Sequence, residues 1–282
     1  MRGLAVLPSR LFADRLALAG ALLVLPIVAL TVISPALVPY APDDIDAMAM
    51  LQGPGAAHWL GADDLGRDVL ARLMVGGRLS LSVGIGAVLM ALACGLPLGL
   101  VSGYAGGWID EAIMRLIDSL MALPPLVLAL TITAVLGPGL LNTMLAIAIV
   151  AVPVFTRLVR GQVIAVRQRE FVAAAVAVGM RPPRVLLRHI LPNAATPAIV
   201  QASLSIGFAI ITESSVSFIG LGAQPPTATW GSMVQVGFQY LETAPWLAAA
   251  PAIAIFLAVL AFTMLGEGLR GVLDPASRQL GA

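Results

Sequence analysis

Residues 16–38, 79–109 and 119–156 contain no charged side chain at all. Each run reaches or exceeds the roughly 20 apolar residues that a helix needs to cross the hydrocarbon of a bilayer. Hydrophobic residues make up 59% of the 282 and charged residues 11%, against roughly 25% charged in an ordinary soluble domain. So little polar surface excludes a soluble globular enzyme. Disorder is excluded too, because it requires low hydrophobicity and high charge. The 28 glycines and 20 prolines fit membrane helices, which tolerate both residues more than soluble helices do. The expected fold is an all-α polytopic membrane protein.

Residue counts remove several chemistries. Cys94 is the single cysteine, so a disulfide framework is impossible and a cysteine metal centre is not expected. His58 and His189 lie far apart, no H-E-x-x-H pair exists, and no metal site is expected. All 16 basic residues are arginine. A phosphate loop of the G-x-x-x-x-G-K-[ST] kind therefore cannot occur, and the chain cannot hydrolyse ATP by that route. A net charge of +1 gives no basic field for nucleic acid.

About six transmembrane helices are expected, over 16–38, 80–103, 112–136, 140–156, 194–219 and 245–266. Arg10 and Arg15 precede the first, which reads as an uncleaved, signal-anchor-like span because its apolar stretch exceeds a typical signal-peptide core. Leu136-Gly137-Pro138-Gly139 supplies the turn between the third and fourth. An even number of spans puts both termini on one side. Thirteen arginines fall in 1–15, 104–115, 157–193 and 267–282, against Arg67, Arg72 and Arg78 in the opposite loops. By the positive-inside rule both termini are expected in the cytoplasm of a multi-pass inner-membrane protein. The resulting organisation is an N-terminal arm 1–15, a first helix 16–38, an outer loop 39–78, a core 79–266 and a C-terminal tail 267–282. Trp59, Trp230 and Trp246 are expected near the outer interface.

The segment 157–193 is the most informative. Glu170-Phe171-Val172-Ala173-Ala174-Ala175-Val176-Ala177-Val178 predicts a short helix with an acid at its positive end, and Gly179 fits the residue just past its end. Pro182 or Pro183 suits the first turn of another helix. Arg184, Arg188 and His189 fall toward that helix's end, and Pro192 marks the entry to the fifth span. A helix this short is marginal alone in water. Phe171, Ala174, Ala175 and Val178 fall at i, i+3, i+4 and i+7. Such a stripe either fills a groove in a partner or folds back on the chain's own bundle, and the pattern leaves both open.

Glu170 to Pro192, with Gly179 and the ending His189-Ile190-Leu191-Pro192-Asn193, resembles the EAA loop of ABC importer permeases. His58-Trp59-Leu60-Gly61-Ala62-Asp63-Asp64-Leu65-Gly66-Arg67-Asp68 resembles the first outer-loop motif of the dipeptide/oligopeptide/nickel permease family. Gly103-Tyr104-Ala105-Gly106-Gly107-Trp108, Ser217-Phe218-Ile219-Gly220-Leu221-Gly222-Ala223-Gln224-Pro225-Pro226, Leu265-Gly266-Glu267-Gly268-Leu269-Arg270 and Leu273-Asp274-Pro275 agree with it as well. The resemblance runs from about residue 10 to 278 and is to the second permease of the pair. Two departures stand out: Ala173 replaces the usual glutamate of the three-letter motif, and Val176 replaces a common arginine.

The resemblance implies a type I importer permease fold and half of a translocation pathway for peptides, nickel or related small solutes. The implied partners are a second permease subunit, two ATPase subunits that bind ATP and Mg, an extracytoplasmic solute-binding protein and membrane lipid. No cofactor is expected on this chain and no catalysis by it. Glu170, Phe171, Ala174, Ala175, Val178, Gly179, Arg184, Arg188, His189 and Pro192 become the expected ATPase-coupling residues. Asp63, Asp64, Arg67, Asp68, Gln224 and Trp230 become candidates for docking the binding protein.

The remaining residues are read from the pattern itself. Glu213 lies within the fifth span, with Ser214, Ser215 and Ser217 close by. A carboxylate in lipid faces the bundle interior or water, which favours Glu213, Ser214 and Ser217 as pathway or gate residues over a simple interhelical hydrogen bond. Asp110 and Glu111 are expected to cap the third span, and Arg115 and Asp118 to pair at i, i+3. Asp63, Asp64 and Asp68 do not match a calcium-loop spacing; a helix-start cap plus pairing with Arg67 or Arg72 is expected instead. The competing function is an ion-coupled secondary transporter acting without ATPases, for which Glu213 is the one good coupling acid.

Overall fold

The computed structural model describes residues 14–37 and 39–273, which are mostly helical, with the long non-helical stretch 39–68 between the first two helices. In chain order the helices are α1 (Arg15–Leu37), α2 (Val69–Ala105), α3 (Gly107–Met121), α4 (Pro125–Leu136), α5 (Leu140–Arg167), α6 (Glu170–Ala177), α7 (Pro182–Val185), α8 (Leu191–Phe218), α9 (Trp230–Gln239) and α10 (Trp246–Leu273). Among the described residues five helices are long and apolar enough to cross a membrane, or six if the bent pair α3–α4 counts as one span. The arm 1–13 and the tail beyond Leu273, with the Leu273-Asp274-Pro275 signature, lie outside the described residues.

The helix starts follow local chemistry. Asp14 Oδ1 accepts from the amides of Leu16 and Ala17 ahead of α1, and Asp68 accepts from Ala71 N to cap α2. That cap starts α2 eleven residues before the expected span, so the outer loop 39–78 closes in helix from Val69 onward. The 37 residues of α2 reach about 55 Å at 1.5 Å per residue, well beyond a hydrocarbon core of about 30 Å. The turn expected at Leu136–Gly139 is present, with Gly137 at φ 89° and Gly139 at φ 143°.

The third span is not one straight helix. α3 and α4 meet at 90° across Ala122–Pro124. Pro124 cannot donate an amide and pushes Leu123 out of helical backbone, while Pro125 is at ease in the first turn of α4. α3 is amphipathic and carries Asp110, Glu111, Arg115 and Asp118, whereas α4 has no charge. A further helix, α9, lies within 220–244, where no helix was expected. Thr229 and Ser232 close a reciprocal capping box at its start.

The core is built on α2, α5 and α8. Val83, Ala87, Val88, Ala91, Ile147, Phe155 and Ala209 form its middle. α2 against α5 is the most extensive helix pair. Gly95, Gly99 and Gly103 line the contact: a Cβ on them would fall 2.6 Å from Phe155 Cβ, 2.7 Å from Thr156 O and 2.8 Å from Arg160 O. Small residues four apart let two membrane helices approach backbone to backbone, where dispersion and packing drive association. α1 packs on α10 at the outside of this core.

Candidate functional site

Three regions carry the residues singled out by sequence. The first is the connection between α5 and α8, at the arginine-rich end. α5 runs on past Arg157 to Arg167, and Gln168 and Arg169 lead directly into α6. The end of α6 is a Schellman motif: Gly179 N donates to Val176 O at 2.9 Å and Met180 N to Ala175 O at 3.2 Å. Gly179 takes φ 78°, a left-handed backbone that costs an L side chain about 1–2 kcal/mol. Pro182 opens α7, a five-residue π turn follows over Leu186–Ile190, and α8 begins at Leu191 with Pro192 in its first turn.

The stripe read from spacing divides between two faces. Val172 and Ala175 turn inward and are buried, Val172 in one cluster with Val163, Val185, Ile190 and Ala194. Phe171, Ala174 and Val178 turn outward, with Phe171 46% and Val178 80% exposed. Ala175 therefore moves from the expected free stripe to the anchoring one, and Val172 joins it. The cause is the exit from α5, which fixes the rotation of so short a helix. The Phe171 and His189 rings face each other at 6.5 Å. Glu170, Arg184, Arg188 and Pro192 are exposed on the same surface.

The second region is a platform at the opposite end, between α1 and α2 and around α9. Asp63 accepts from Arg67 Nε at 2.7 Å and lies 3.5 Å from Arg72 Nε. Arg72 Nη1 also reaches Asp43 Oδ1 and Pro42 O, each at 3.0 Å. Asp68 adds His58 Nδ1 at 2.9 Å to its capping bond. Trp230 is 2% exposed and donates from Nε1 to Leu73 O at 2.9 Å. Asp63, Arg67, Asp68 and Trp230, four of the six docking candidates, are thus enclosed and brace the platform. Asp64 and Gln224 remain at its surface, as does Trp59, which is 71% exposed. Trp230 was expected in the headgroup belt; α9 folds it inward instead. Among the described residues no group of three metal-ligating side chains occurs.

The third region surrounds Glu213. Its side chain is fully buried and accepts from Ser217 Oγ at 2.7 Å, one turn along α8. Ser80 of α2 and Thr229 at the start of α9 are also fully buried, and among the described residues Glu213 Oε2 and Ser214 Oγ have no hydrogen-bond partner. Ser80 Oγ in turn accepts from Trp230 N at 3.1 Å. Glu213, Ser214 and Ser217 were expected to line a pathway. The structure encloses them where α2, α8 and α9 meet, because α9 covers that face of α8: a Cβ at Gly231 would fall 2.5 Å from Ser214 O.

Two expectations for α3 are also corrected. Gly106 precedes the helix without any side-chain cap, and Asp110 points to α5, where Arg160 holds it from Nε at 2.6 Å and Nη2 at 2.7 Å. Ser102 Oγ donates to the same carboxylate. Arg115 pairs with Glu111 at 2.5 Å, not with Asp118, which pairs with Arg157 at 2.5 Å. Sequence reasoning missed the role of Arg157 and Arg160. The available signal was an acid pair eight apart on one helix and an arginine pair three apart on the next, but nothing in the spacing says that two different helices face each other.

Comparison with known proteins follows this geometry. Residues 95–279 match the family described as binding-protein-dependent transport system inner membrane component, and residues 9–54 match the N-terminal TM domain of oligopeptide transport permease C. The dipeptide transport system permease protein DppC of Alkalihalophilus pseudofirmus is 45% identical over 93% of this chain and 86% of its own length. The glutathione transport system permease protein GsiD of Pectobacterium atrosepticum is 43% identical over 94% and 89%. Among solved structures, the inward-facing MetNI methionine ABC transporter aligns with a TM-score of 0.57 at 16% identity, over 72% of this chain and 97% of that one. An amino acid ABC transporter aligns at 0.55 and 18%, over 69% and 91%; at such identities both likenesses speak for the fold. The long apolar helices, the short helix between α5 and α8 and these matches place the chain in the family of inner-membrane permeases of binding-protein-dependent ABC importers.

Proposed function

We propose that this chain is one of two permease subunits of an ATP-driven importer of small peptides, and that α6 is the element gripped by an ATPase subunit. The observation that carries the reading is the two-faced α6. Val172 welds it to the ends of α5 and α8, and Ala175 is buried on the same side. Phe171, Ala174 and Val178 leave an apolar face uncovered on a helix of eight residues. A helix that short does not hold itself together in water, so one welded face makes it a rigid handle and the free face suits a groove in a partner. With Ala173 and Val176 in place of charged residues, apolar burial is the main attraction available to it. ATP and Mg act on the partner ATPases. Their closure moves α6, and the bundle passes substrate between two permeases.

The substrate class follows from the relatives, two of which are named for dipeptide and for glutathione transport; both cargoes are short peptides. The excess of arginine at the α6 end places that end and both termini in the cytoplasm. The platform then faces outward, where the exposed Gln224 and Trp59, with the half-buried Asp64, offer a surface to a solute-binding protein.

The reading is tested on the complex made with its neighbouring subunits. Phe171→Glu abolishes ATPase co-purification and ATP-dependent peptide uptake, while the chain still inserts at normal abundance. Retention of the ATPases by that variant, or solute uptake by the lone reconstituted chain along an ion gradient, overturns it in favour of a secondary transporter.

A further inference from the structure

We propose that Asp110 and Asp118 of α3, held by Arg160 and Arg157 of α5, form a two-point yoke that makes the broken α3–α4 unit travel with the α6-bearing end of α5. The proposal rests on the importer reading and extends it to positioning residues that act through helix placement.

The geometry is specific. Asp110 lies in the first turn of α3 and Asp118 in its last, about 12 Å apart along the axis. Arg157 and Arg160 are one turn apart on α5. Two bonds spread along α3 and nearly coincident on α5 fix the angle between the helices as well as their distance. The Asp110–Arg160 contact is a fork, with Nε and Nη2 on separate carboxylate oxygens. That is the form of ion pair that best sets orientation. Ser102, in the last turn of α2, makes a third attachment to the same carboxylate. Arg160 has little freedom of its own, because its backbone is pressed against Gly103 of α2.

The two ends of this arrangement differ. Toward its C-terminus, α5 is continuous with the segment that leads into α6, and its last residue, Arg167, donates to Tyr104 O at 2.9 Å. On the other side, α3 ends at the Ala122–Pro124 break, and α4 beyond it packs on α5 and α8 and buries Ala129 and Thr133 fully, while Val127, Val135 and Leu136 are exposed. Without the yoke, the proline break would leave α3 free to tilt while α4 stays packed on α5. With it, rotation of the α5 end carries α3, and α3 sets the angle at which α4 leaves the break.

The test uses the reconstituted complex of permeases, ATPases and binding protein, in vesicles loaded with ATP, with peptide uptake measured per ATP hydrolysed. Asp118→Arg and Arg157→Asp each lower that ratio about fivefold, and Asp110→Asn about tenfold, within the range of ordinary coupling free energies. The exchange D118R/R157D restores most of it. The exchange is chosen at Asp118 because both partners are well exposed, so folding is spared, and because a cation in the last turn of α3 suits the helix dipole. A second readout is independent of transport. With Cys94 replaced by serine, spin labels at Ser119 and Gln168 keep one distance with and without nucleotide in the otherwise native chain, and show a broad distribution in Asp118→Arg. Full coupling in the single variants, failure of the exchange to rescue, or a Ser119–Gln168 distance that changes on nucleotide binding overturns the yoke. Failure of the importer reading shows separately, as absence of ATP-dependent uptake in the unsubstituted complex.

Discussion

At the scale of single residues, glycine decides where helices can touch. Gly99 has Thr156 O and Val159 Cβ at 2.7 Å from where a Cβ would stand, whereas Gly161 has nothing within 4 Å. Both sit in helix interiors, where glycine is worse than alanine by about 0.5–1 kcal/mol on intrinsic grounds. The two therefore respond in opposite directions. Gly99→Ala forces α2 and α5 apart and costs about 1–3 kcal/mol as an overpacking change. Gly161→Ala is neutral or mildly stabilising. Thermal unfolding in detergent, followed by helical circular dichroism, separates the two: the midpoint falls for the first and holds or rises for the second.

At the scale of elements, α6 is stable only as part of its surroundings. Its eight residues rely on the inward pair Val172 and Ala175 and on the left-handed Gly179 that closes the Schellman turn. Gly179→Val keeps the apolar character but strains the turn by about 1–2 kcal/mol. No side chain from the rest of the bundle lies within 4 Å of that position, so the effect stays local. The amides of Val178, Gly179 and Met180 exchange with deuterium faster in this variant and ATPase association weakens, while the global unfolding midpoint is unchanged. A midpoint that falls together with the exchange protection would mean that α6 is part of the main cooperative unit.

At the scale of the whole molecule, the two ends are built differently. The platform end is braced by enclosed charges: Asp63 with Arg67 and Arg72, and Asp68 with His58. The α6 end carries free arginines and an open apolar face. A cysteine at Val178, in a Cys94→Ser background, reacts with a membrane-impermeant maleimide only in inverted vesicles. A cysteine at Met48, which is 94% exposed, reacts only in intact cells. The reverse pattern would turn the chain over in the membrane and remove α6 from any ATPase.

The sequence by itself determined the all-helical membrane class, the turn at Leu136–Gly139, the short helix Glu170–Ala177 with Gly179 at its end, and the family. Each is written in composition, in runs without charge or in neighbouring residues, where the bilayer or the local backbone acts alone. Tertiary structure decided which face of α6 is free, that Glu213 is enclosed where α2, α8 and α9 meet, that Trp230 turns inward, and that Asp110 and Asp118 answer to Arg160 and Arg157. These depend on the rotation of each helix about its axis and on which helix it meets. Charges more than a few residues apart acquire partners only when packing, here through Gly95, Gly99 and Gly103, sets two backbones side by side.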